Sequence, residues 1–387
     1  MRKVYLDHAA TTPLRREAFE AMIPFLTDRF GNPSSIHAFG REAKRDVDDA
    51  RQRVAAALHA EPREVFFTSG GTEADNIAIL GAAAQLRNKG RHIITSAVEH
   101  HAVLYTCEAL ESRGYRVTVL PVDEYGMVSP AQLEKAMSAE TILVSIMHAN
   151  NEVGTIQPIR ELAAIAHAGG ALIHTDAVQS LGNIPVDVQE LQVDFLSASA
   201  HKLYGPKGLG LLYVKKGTKI ASIAYGGAQE HSLRPGTENV AGIIGFARAL
   251  ELAVAEQPDT YLRLTGLRDR LIEGLTALPD VRLNGHPEQR LPGNVNVSIE
   301  RVEGESLILS LDMAGIAVSS GSACTSGSLE PSHVLMAMGL DHQSAHGSLR
   351  FTLGKSTSEE DIDYVLEVIP AIIQRLRAMS PVQALQK

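Results

Sequence analysis

One lysine stands in a turn of small residues near the middle of the chain. Segment 197–208 reads SASAHKLYGPKG, and the apolar segments 193–196 and 209–214 on either side of it are predicted to be buried strands. An amine held between two core strands, with space beside it, can form a Schiff base with an aldehyde cofactor. Lys202 is therefore the first candidate for covalent cofactor chemistry. A solvated lysine in a surface turn is the alternative that this segment alone leaves open.

A carboxylate ends the preceding predicted strand. Asp176 follows the predicted strand 172–175, and Gln179 comes three residues later. Because ligands in open α/β sheets bind at the carboxyl ends of the strands, we expect Asp176 and Lys202 on neighbouring strand ends. A carboxylate there can pair with a protonated ring nitrogen, and Gln179 can reach an oxygen of the same ring. A helix N-cap is the alternative role for Asp176.

Two further motifs suit anions. Gly70-Gly71-Thr72 lies between a predicted strand and a predicted helix, where unpaired backbone N–H groups and the helix dipole attract phosphate. An ordinary threonine N-cap is the alternative for this motif. Arg350, in the predicted strand 348–353, has a planar guanidinium group that suits a substrate carboxylate. An interdomain salt bridge or a solvated strand edge are its alternatives.

Segment 319–328 reads SSGSACTSGS and carries one thiol. Small residues allow such a loop to swing, and an exposed thiol becomes a nucleophile when its pKa falls below the free value of about 8.5. Cys324 is therefore the nucleophile candidate, with a buried cysteine acting as a small apolar residue as the alternative. Cys107 lies within a helical pattern and is predicted to be of that inert kind.

An imidazole follows the predicted strand 92–95. His100 could stack on a planar ring and transfer protons. The adjacent His101 raises the alternative of a metal site. Neighbouring side chains splay apart, however, and no cysteine or aspartate cluster accompanies them. We therefore expect no intrinsic metal.

The order of the predicted elements indicates two structural units. Strands and helices alternate from residue 65 to residue 214, which is typical of a largely parallel sheet covered on both faces. After Gly227 the alternation gives way to a smaller α+β pattern, and Pro258 is predicted to mark a hinge between two helices. We assign 13–257 to a large domain and 1–12 with 258–387 to a small one.

Composition excludes several classes of protein. The chain has 387 residues, and its 36 basic and 45 acidic side chains give a net charge of -9 without a basic stripe, so no nucleic-acid groove is expected. Neither a signal peptide nor an apolar segment of about 18 residues is present, so no membrane partner is expected. Two cysteines provide no disulfide framework, which favours a reducing, cytoplasmic compartment.

Taken together, these motifs resemble the cysteine desulfurases of the NifS/IscS type, which are fold type I pyridoxal-phosphate enzymes of the class-V aminotransferase family. The resemblance covers nearly the whole chain, from YLDHAATTP at 5–13 and GNPSSIH at 31–37 to SACT at 322–325. It implies an α/β large domain with a mostly parallel seven-stranded sheet, plus a smaller α+β domain that carries the cysteine loop. Ala200 and Pro235 depart mildly from the expected motifs, and neither change removes a functional side chain.

The resemblance also implies a role for each candidate residue. Lys202 would hold pyridoxal 5'-phosphate covalently and move the proton at the substrate α-carbon. The other implied cofactor contacts are Asp176 at the ring nitrogen, Gln179 at the ring oxygen, His100 stacked on the ring, and Gly71, Thr72, Ser199 and His201 at the phosphate. Thr237 would reach the phosphate of the other subunit, which implies a homodimer. Asn151 and Arg350 would bind the substrate carboxylate, and Cys324 would attack the substrate sulfur.

The implied reaction converts L-cysteine to L-alanine and leaves the sulfur as a persulfide on Cys324. Acceptor proteins, such as an iron–sulfur scaffold, would then take the sulfur for cluster assembly, nitrogenase maturation or tRNA thiolation, with a transient iron–sulfur contact through Cys324 as a further implication. Selenocysteine lyase, cysteine sulfinate desulfination and transamination are alternatives on the same cofactor. A noncatalytic partner in sulfur transfer is the alternative outside the enzymes.

Overall fold

The structure, a computed structural model, describes residues 2–320 and 331–379. Its strands are β1 (Val4–Tyr5), β2 (Val65–Thr68), β3 (His92–Ser96), β4 (Arg116–Leu120), β5 (Thr141–Ser145), β6 (Leu172–Asp176), β7 (Phe195–Ser199), β8 (Gly210–Val214), β9 (Val281–Asn284), β10 (Asn294–Ile299), β11 (Ile316–Ala317) and β12 (Ser348–Thr352). Its α-helices are α1 (Arg16–Leu26), α2 (Ala38–Ala57), α3 (Gly71–Leu86), α4 (His101–Glu111), α5 (Pro130–Ala136), α6 (Ile159–Ala168), α7 (Val188–Leu191), α8 (Val240–Thr276), α9 (Gly304–Met313), α10 (His333–Ala337), α11 (His342–His346) and α12 (Glu359–Met379). No helix within the described residues is long and apolar enough to cross a membrane.

Seven strands form the central sheet in the order β2-β8-β7-β6-β5-β3-β4. The pairs from β7 to β4 are parallel because a helix or a long connection crosses over between successive strands. β8 runs antiparallel to β7 because only residues 200–209 join them, and β2 is antiparallel to β8. The predicted mostly parallel, seven-stranded α/β architecture is therefore confirmed.

Neighbouring residues of one strand serve opposite faces of this sheet. Phe195 of β7 packs in the apolar cluster that contains Ile79 of α3, while Leu196 packs in the cluster that contains Leu162 of α6 and Phe246 of α8. This alternation follows from the two-residue repeat of a strand. Because both faces are covered, the polar residues of the sheet collect at the strand ends, which is where a ligand can reach them.

A second sheet, β12-β10-β9, is antiparallel and packs with helices α9 and α12. Its core contains Leu271, Val297, Phe351 and Ile369, all of which are nearly or fully buried. The N-terminal arm joins this unit because β1 pairs in parallel with β11. The arm thus enters from the small sheet and continues toward the turn that holds Lys202.

The predicted hinge at Pro258 is wrong. Helix α8 runs from Val240 to Thr276 without interruption, and Pro258 lies inside it. Proline removes one backbone donor, but this part of the helix is exposed, so water can satisfy the carbonyl of Val254. Packing of Phe246 in the large core and of Leu271 in the small core holds the two ends of the helix. The domain boundary near residue 258 stays a prediction.

Candidate active site

A cavity of about 220 Å³ opens at the carboxyl ends of β6 and β7. Both the N-terminal arm and strand β12 of the small sheet contribute to its wall. Ten predicted site residues line it: Gly71, Thr72, His100, Asn151, Asp176, Gln179, Ser199, His201, Lys202 and Arg350. These side chains are far apart in the sequence, and the fold brings them to one edge of the sheet.

Lys202 ends a short 3-10 turn directly after β7. Its Nζ donates hydrogen bonds to the backbone carbonyls of Ala9, at 2.5 Å, and Ala10, at 2.8 Å. The alternative of a solvated surface lysine is therefore wrong. The amine faces the cavity from the sheet side, while the N-terminal arm holds it from the other side.

Asp176 ends β6, and its register partner on β7 is Ser197. Its Oδ1 accepts a hydrogen bond from the backbone N–H of Val178 at 2.8 Å. No helix begins there, so Asp176 stabilises a turn and is not a helix N-cap. Burial raises the pKa of Asp176 to about 6, against the lowering effects of the Val178 hydrogen bond and the charge of Lys202. Gln179 lies in this turn and donates from Nε2 to the Ala9 carbonyl at 3.0 Å.

Helix α3 points its N-terminus at the cavity. Its N-cap is Gly70, which has no side chain to cap the first turn, and Thr72 lies inside the helix, so the N-cap alternative for Thr72 is wrong. A Cβ atom at Gly71 would lie only 2.6 Å from Cγ2 of Val178, so a glycine is needed for this close approach. The first-turn amides and the Thr72 hydroxyl form a donor set that fits a phosphate.

Two side chains from the end of β7 complete this donor set. Ser199 is the last residue of the strand, and His201 follows it in the turn. Burial, together with the charges of Lys202 and Lys207, lowers the pKa of His201 to about 4. Nδ1 of His201 lies 3.1 Å from Oγ1 of Thr11 on the N-terminal arm.

His100 is the N-cap of α4. Its Nδ1 accepts a hydrogen bond from the backbone N–H of Ala102 at 3.1 Å, so a neutral ring carries its proton on Nε2. Burial lowers the pKa of His100 to about 4, with smaller contributions from His101, Lys202 and His333. The residue is therefore a neutral imidazole near pH 7, and it can donate a hydrogen bond.

Arg350 is buried on β12, with 2% of its surface exposed, so the solvated-edge alternative is wrong. Its Nη2 pairs with Oδ1 of Asp7 at 3.0 Å, and its Nη1 donates to the Asn151 carbonyl at 3.1 Å. The Nε atom is buried without a hydrogen-bond partner among the described residues. The guanidinium group therefore joins the two structural units and also faces the cavity beside Asn151.

Sequence reasoning missed two buried carboxyl groups near this cavity. Asp75 lies three residues after Thr72 on the same helix, a spacing that puts both on one face. Burial and the charge of Asp176 raise the pKa of Asp75 well above its ordinary value. Glu99 directly precedes His100, and burial raises its pKa to about 8. Each of the two residues lies close to a predicted site residue in the sequence. Only the tertiary structure shows that their carboxyl groups are buried.

Glu99 makes the stability of the cofactor-free protein depend on pH. Its folded pKa of about 8 lies above its ordinary value of 4.5, so the folded state keeps a proton that the unfolded state releases. Stability should therefore fall as pH rises from about 5 to 8, by at most about 1.4 kcal/mol per pH unit from this group. We expect Glu99→Gln to reduce this slope, because an amide does not titrate. Urea unfolding at pH 5.5, 6.5 and 7.5 measures it.

The matched control for that experiment is Glu111→Gln, which changes an exposed carboxyl on α4. The difference in unfolding free energy between Glu99→Gln and the parent protein should grow with pH, while the Glu111 variant should show no such trend. A constant difference across this range would contradict the buried neutral state of Glu99.

One predicted site residue that the structure describes does not line this cavity. Thr237 lies in the exposed loop before α8 and is not one of the residues that line the cavity. Cys324 lies outside the described residues. Strand β12 does meet Ser319 close to that segment, because Ser319 and Arg350 exchange backbone hydrogen bonds of 3.2 and 2.7 Å. Cys107 is buried, and burial raises the pKa of its thiol to about 12.

Comparison with known proteins identifies the family. A family model described as aminotransferase class-V matches residues 4–365. Cysteine desulfurase IscS of Methanosarcina thermophila is 57% identical over 378 residues, which are 98% of this chain and 94% of that protein. The chain belongs to the class-V aminotransferase family. The resemblance to NifS/IscS desulfurases is thereby confirmed.

Solved structures agree with membership of the class-V aminotransferase family. A NifS-like protein is 41% identical, with a TM-score of 0.92 over 97% of this chain and 100% of the other. SspA, solved in complex with cysteine, is 35% identical, with a TM-score of 0.81 over 91% of this chain and 99% of the other. The predicted fold type I architecture is confirmed by these similarities.

Proposed function

We propose that this protein is a cysteine desulfurase that uses pyridoxal 5'-phosphate to convert L-cysteine to L-alanine. The observation that carries the proposal is the position of Lys202 in one cavity with Asp176, the α3 N-terminus and Arg350. High identity to a cysteine desulfurase over nearly the full chain supports the same reaction. The similarity to SspA, solved with cysteine, supports cysteine as the substrate.

Three groups of residues in the cavity suit three different parts of the cofactor. The α3 amides with Thr72 suit the phosphate, Asp176 suits a protonated ring nitrogen, and Lys202 suits the aldehyde carbon. A protonated ring nitrogen beside Asp176 would offset the burial that raises the pKa of this carboxyl, because an opposite charge stabilises a buried carboxylate. Pyridoxal phosphate, when bound, supplies an electron sink for bonds broken on the substrate amino acid.

The protein's own side chains then bind and orient the substrate. Arg350 and the Asn151 side chain hold the carboxylate, since a guanidinium group binds carboxylate oxygens in a bidentate manner. The amine of Lys202 would hold the cofactor, and the same amine would take up the proton at the substrate α-carbon and return it. His100 donates from Nε2 to a group in the cavity and does not serve as a strong base at neutral pH.

Cys324 accepts the sulfur. Its thiolate attacks the substrate sulfur, so a new S–S bond forms as the substrate Cβ–S bond breaks. The electron pair of the broken bond stays with the substrate carbon, which takes up a proton and leaves as alanine. The enzyme keeps a persulfide, and an acceptor protein such as an iron–sulfur scaffold removes the terminal sulfur. A reducing cytoplasmic compartment suits this thiol chemistry.

A homodimer completes the site in this proposal. Thr237 is exposed in the loop before α8, where it can reach the phosphate bound to a second copy. Its absence from the lining of its own cavity supports this role. Sedimentation of the purified protein, followed by titration of Thr237→Ala with the cofactor, tests the assembly and the contact separately.

The purified protein should be yellow, and addition of L-cysteine should change its visible spectrum and release alanine. Mass spectrometry should then show a gain of one sulfur atom on Cys324. Release of sulfite from cysteine sulfinate, or activity confined to selenocysteine, would favour another reaction on the same cofactor. A colourless protein that cannot be loaded with pyridoxal phosphate would contradict the enzyme assignment.

Replacement of Arg350 with glutamine should weaken substrate binding. The KM for L-cysteine should rise about 10- to 100-fold, because a charge-assisted contact to a carboxylate contributes about 1.5–3 kcal/mol. Steady-state kinetics measure this, with cofactor content determined in parallel. Arg263→Gln, which removes a guanidinium group bonded to small-unit carbonyls such as that of Thr357, is the matched control. An equal rise in KM in both variants would contradict the role of Arg350.

A further inference from the structure

The two residues that we assign to the substrate carboxylate come from different structural units. Asn151 belongs to a turn after β5 in the large unit, and Arg350 belongs to β12 in the small unit. The distance between their side chains therefore depends on how these units are held together. A misplacement of about 1 Å can cost roughly 100-fold in rate. The contacts at this junction are therefore expected to affect catalysis.

Glu152, the neighbour of Asn151, contacts the small unit at several points. Its backbone carbonyl accepts hydrogen bonds from the side-chain amides of Asn294 at 3.2 Å and Asn296 at 3.1 Å, both on β10. Its side-chain Oε2 accepts a hydrogen bond from the hydroxyl of Ser332, the N-cap of α10. One large-unit residue thus meets two separate small-unit elements.

The surroundings of Glu152 show that this contact is an interior one. The residue is 3% exposed, and its backbone N–H donates to Oδ1 of Asn150 at 2.8 Å. Next to it, Val153 of the same turn packs with Val334 and Leu335 of α10 in an apolar cluster. The turn and α10 therefore form a continuous buried junction between the units.

The carboxyl group of Glu152 also interacts electrostatically with Arg350. Burial raises its pKa to about 7, while the Ser332 hydrogen bond and the charge of Arg350 lower it. Arg350 also donates to the backbone carbonyl of Asn151, the residue before Glu152. A buried carboxyl is costly unless hydrogen bonds and charges compensate it, and here the compensation comes from the opposite unit.

We infer that Glu152 is a positioning residue for substrate binding, because it braces the Asn151 turn against the small-unit elements around Arg350. This inference rests on the proposed function, in which Asn151 and Arg350 bind the carboxylate of L-cysteine. The cofactor contacts belong to the large unit, so the brace should act on the substrate and not on cofactor affinity.

The test compares Glu152→Ala and Glu152→Gln with the full-length parent enzyme. Glu152→Ala keeps the backbone contacts to Asn294 and Asn296 but loses the hydrogen bond to Ser332, so the KM for L-cysteine should rise about tenfold, which corresponds to one lost buried hydrogen bond. Glu152→Gln keeps an oxygen that can accept from Ser332, so its KM should stay within about threefold of the parent value. The affinity of the cofactor-free protein for pyridoxal phosphate, measured by fluorescence, should be unchanged in both.

Glu64 offers a matched control because it is also a buried glutamate whose side chain accepts hydrogen bonds. Its side chain accepts from the backbone N–H groups of Lys216 at 2.6 Å and Glu61 at 2.7 Å, and it does not line the cavity. Glu64→Ala should lower thermal stability with little effect on KM. If Glu152→Ala changes KM no more than Glu64→Ala does, the positioning role is wrong.

A double mutant separates this inference from the proposed function. In an Arg350→Gln background, Glu152→Ala should add less than about twofold to KM, because two residues that act through one contact are not additive. A full tenfold addition in that background would overturn the inference. If Arg350→Gln itself leaves KM unchanged, the assigned carboxylate site is wrong, and that failure is visible before Glu152 is altered.

Discussion

Replacement of Cys324 with serine should abolish persulfide formation while the protein keeps its yellow cofactor. A serine hydroxyl is a far weaker nucleophile toward sulfur than a thiolate, and it cannot hold a persulfide. We expect the rate of alanine formation from L-cysteine to fall by roughly 10³-fold or more, on the scale reported for loss of a catalytic nucleophile. Mass spectrometry after a single addition of L-cysteine measures the sulfur gain, and amino-acid analysis measures alanine.

The chain provides its own control for this experiment, because Cys107 is the other cysteine. Its thiol is buried in α4, and burial raises its pKa to about 12, so it stays protonated. Cys107→Ala should therefore keep the full sulfur gain and the full rate. Normal sulfide release by Cys324→Ser, or a loss of sulfur transfer in Cys107→Ala, would show that the wrong thiol has been assigned.

Replacement of Lys202 with alanine should remove both covalent attachment of the cofactor and proton transfer at the substrate α-carbon. Positioned general acid–base groups contribute about 10²- to 10⁴-fold to rate, so we expect turnover to fall by at least roughly 10³-fold once tethering is lost as well. Reduction of the loaded enzyme with borohydride, followed by peptide mass analysis, should label Lys202 in the parent and leave the variant unlabelled.

Lys207 is the natural comparison for Lys202, since it lies in the same turn between β7 and β8 but is exposed. Lys207→Ala should retain the borohydride label and nearly normal turnover. Labelling of Lys207 in the parent enzyme would show that Lys207, not Lys202, binds the cofactor covalently. Unimpaired turnover by Lys202→Ala would contradict the proposed mechanism.

Several features of the site could be predicted because they depend on local pattern. Apolar strands of four or five residues between helices predict a parallel sheet, and a parallel sheet brings its carboxyl ends together. Asp176 and Lys202 follow two neighbouring strands, so their common cavity was expected from the order of elements alone. The glycines before Thr72 likewise indicated a close approach to a helix N-terminus.

Other features could not be predicted because they depend on contacts between distant segments. The hinge expected at Pro258 is absent, since packing of both ends of α8 outweighs the local helix-breaking tendency of proline. The carbonyls of Ala9 and Ala10 bind Lys202 across more than 190 residues of sequence. Arg350 lines the cavity and also pairs with Asp7 of the N-terminal arm, 343 residues away in the sequence.

The order and types of the residues are enough to identify the reactive groups of this protein: one lysine in a small-residue turn, a carboxylate at a strand end, an anion motif and one thiol in a loop. Residue type and short spacing carry this information, because they set the reactivity of a side chain and the local course of the backbone. Which groups are buried, such as Glu99 and Glu152, and which units meet at Arg350 become known from the three-dimensional fold. Burial and long-range contact arise from the packing of segments far apart in the chain, and that packing sets pKa values and the distances between side chains.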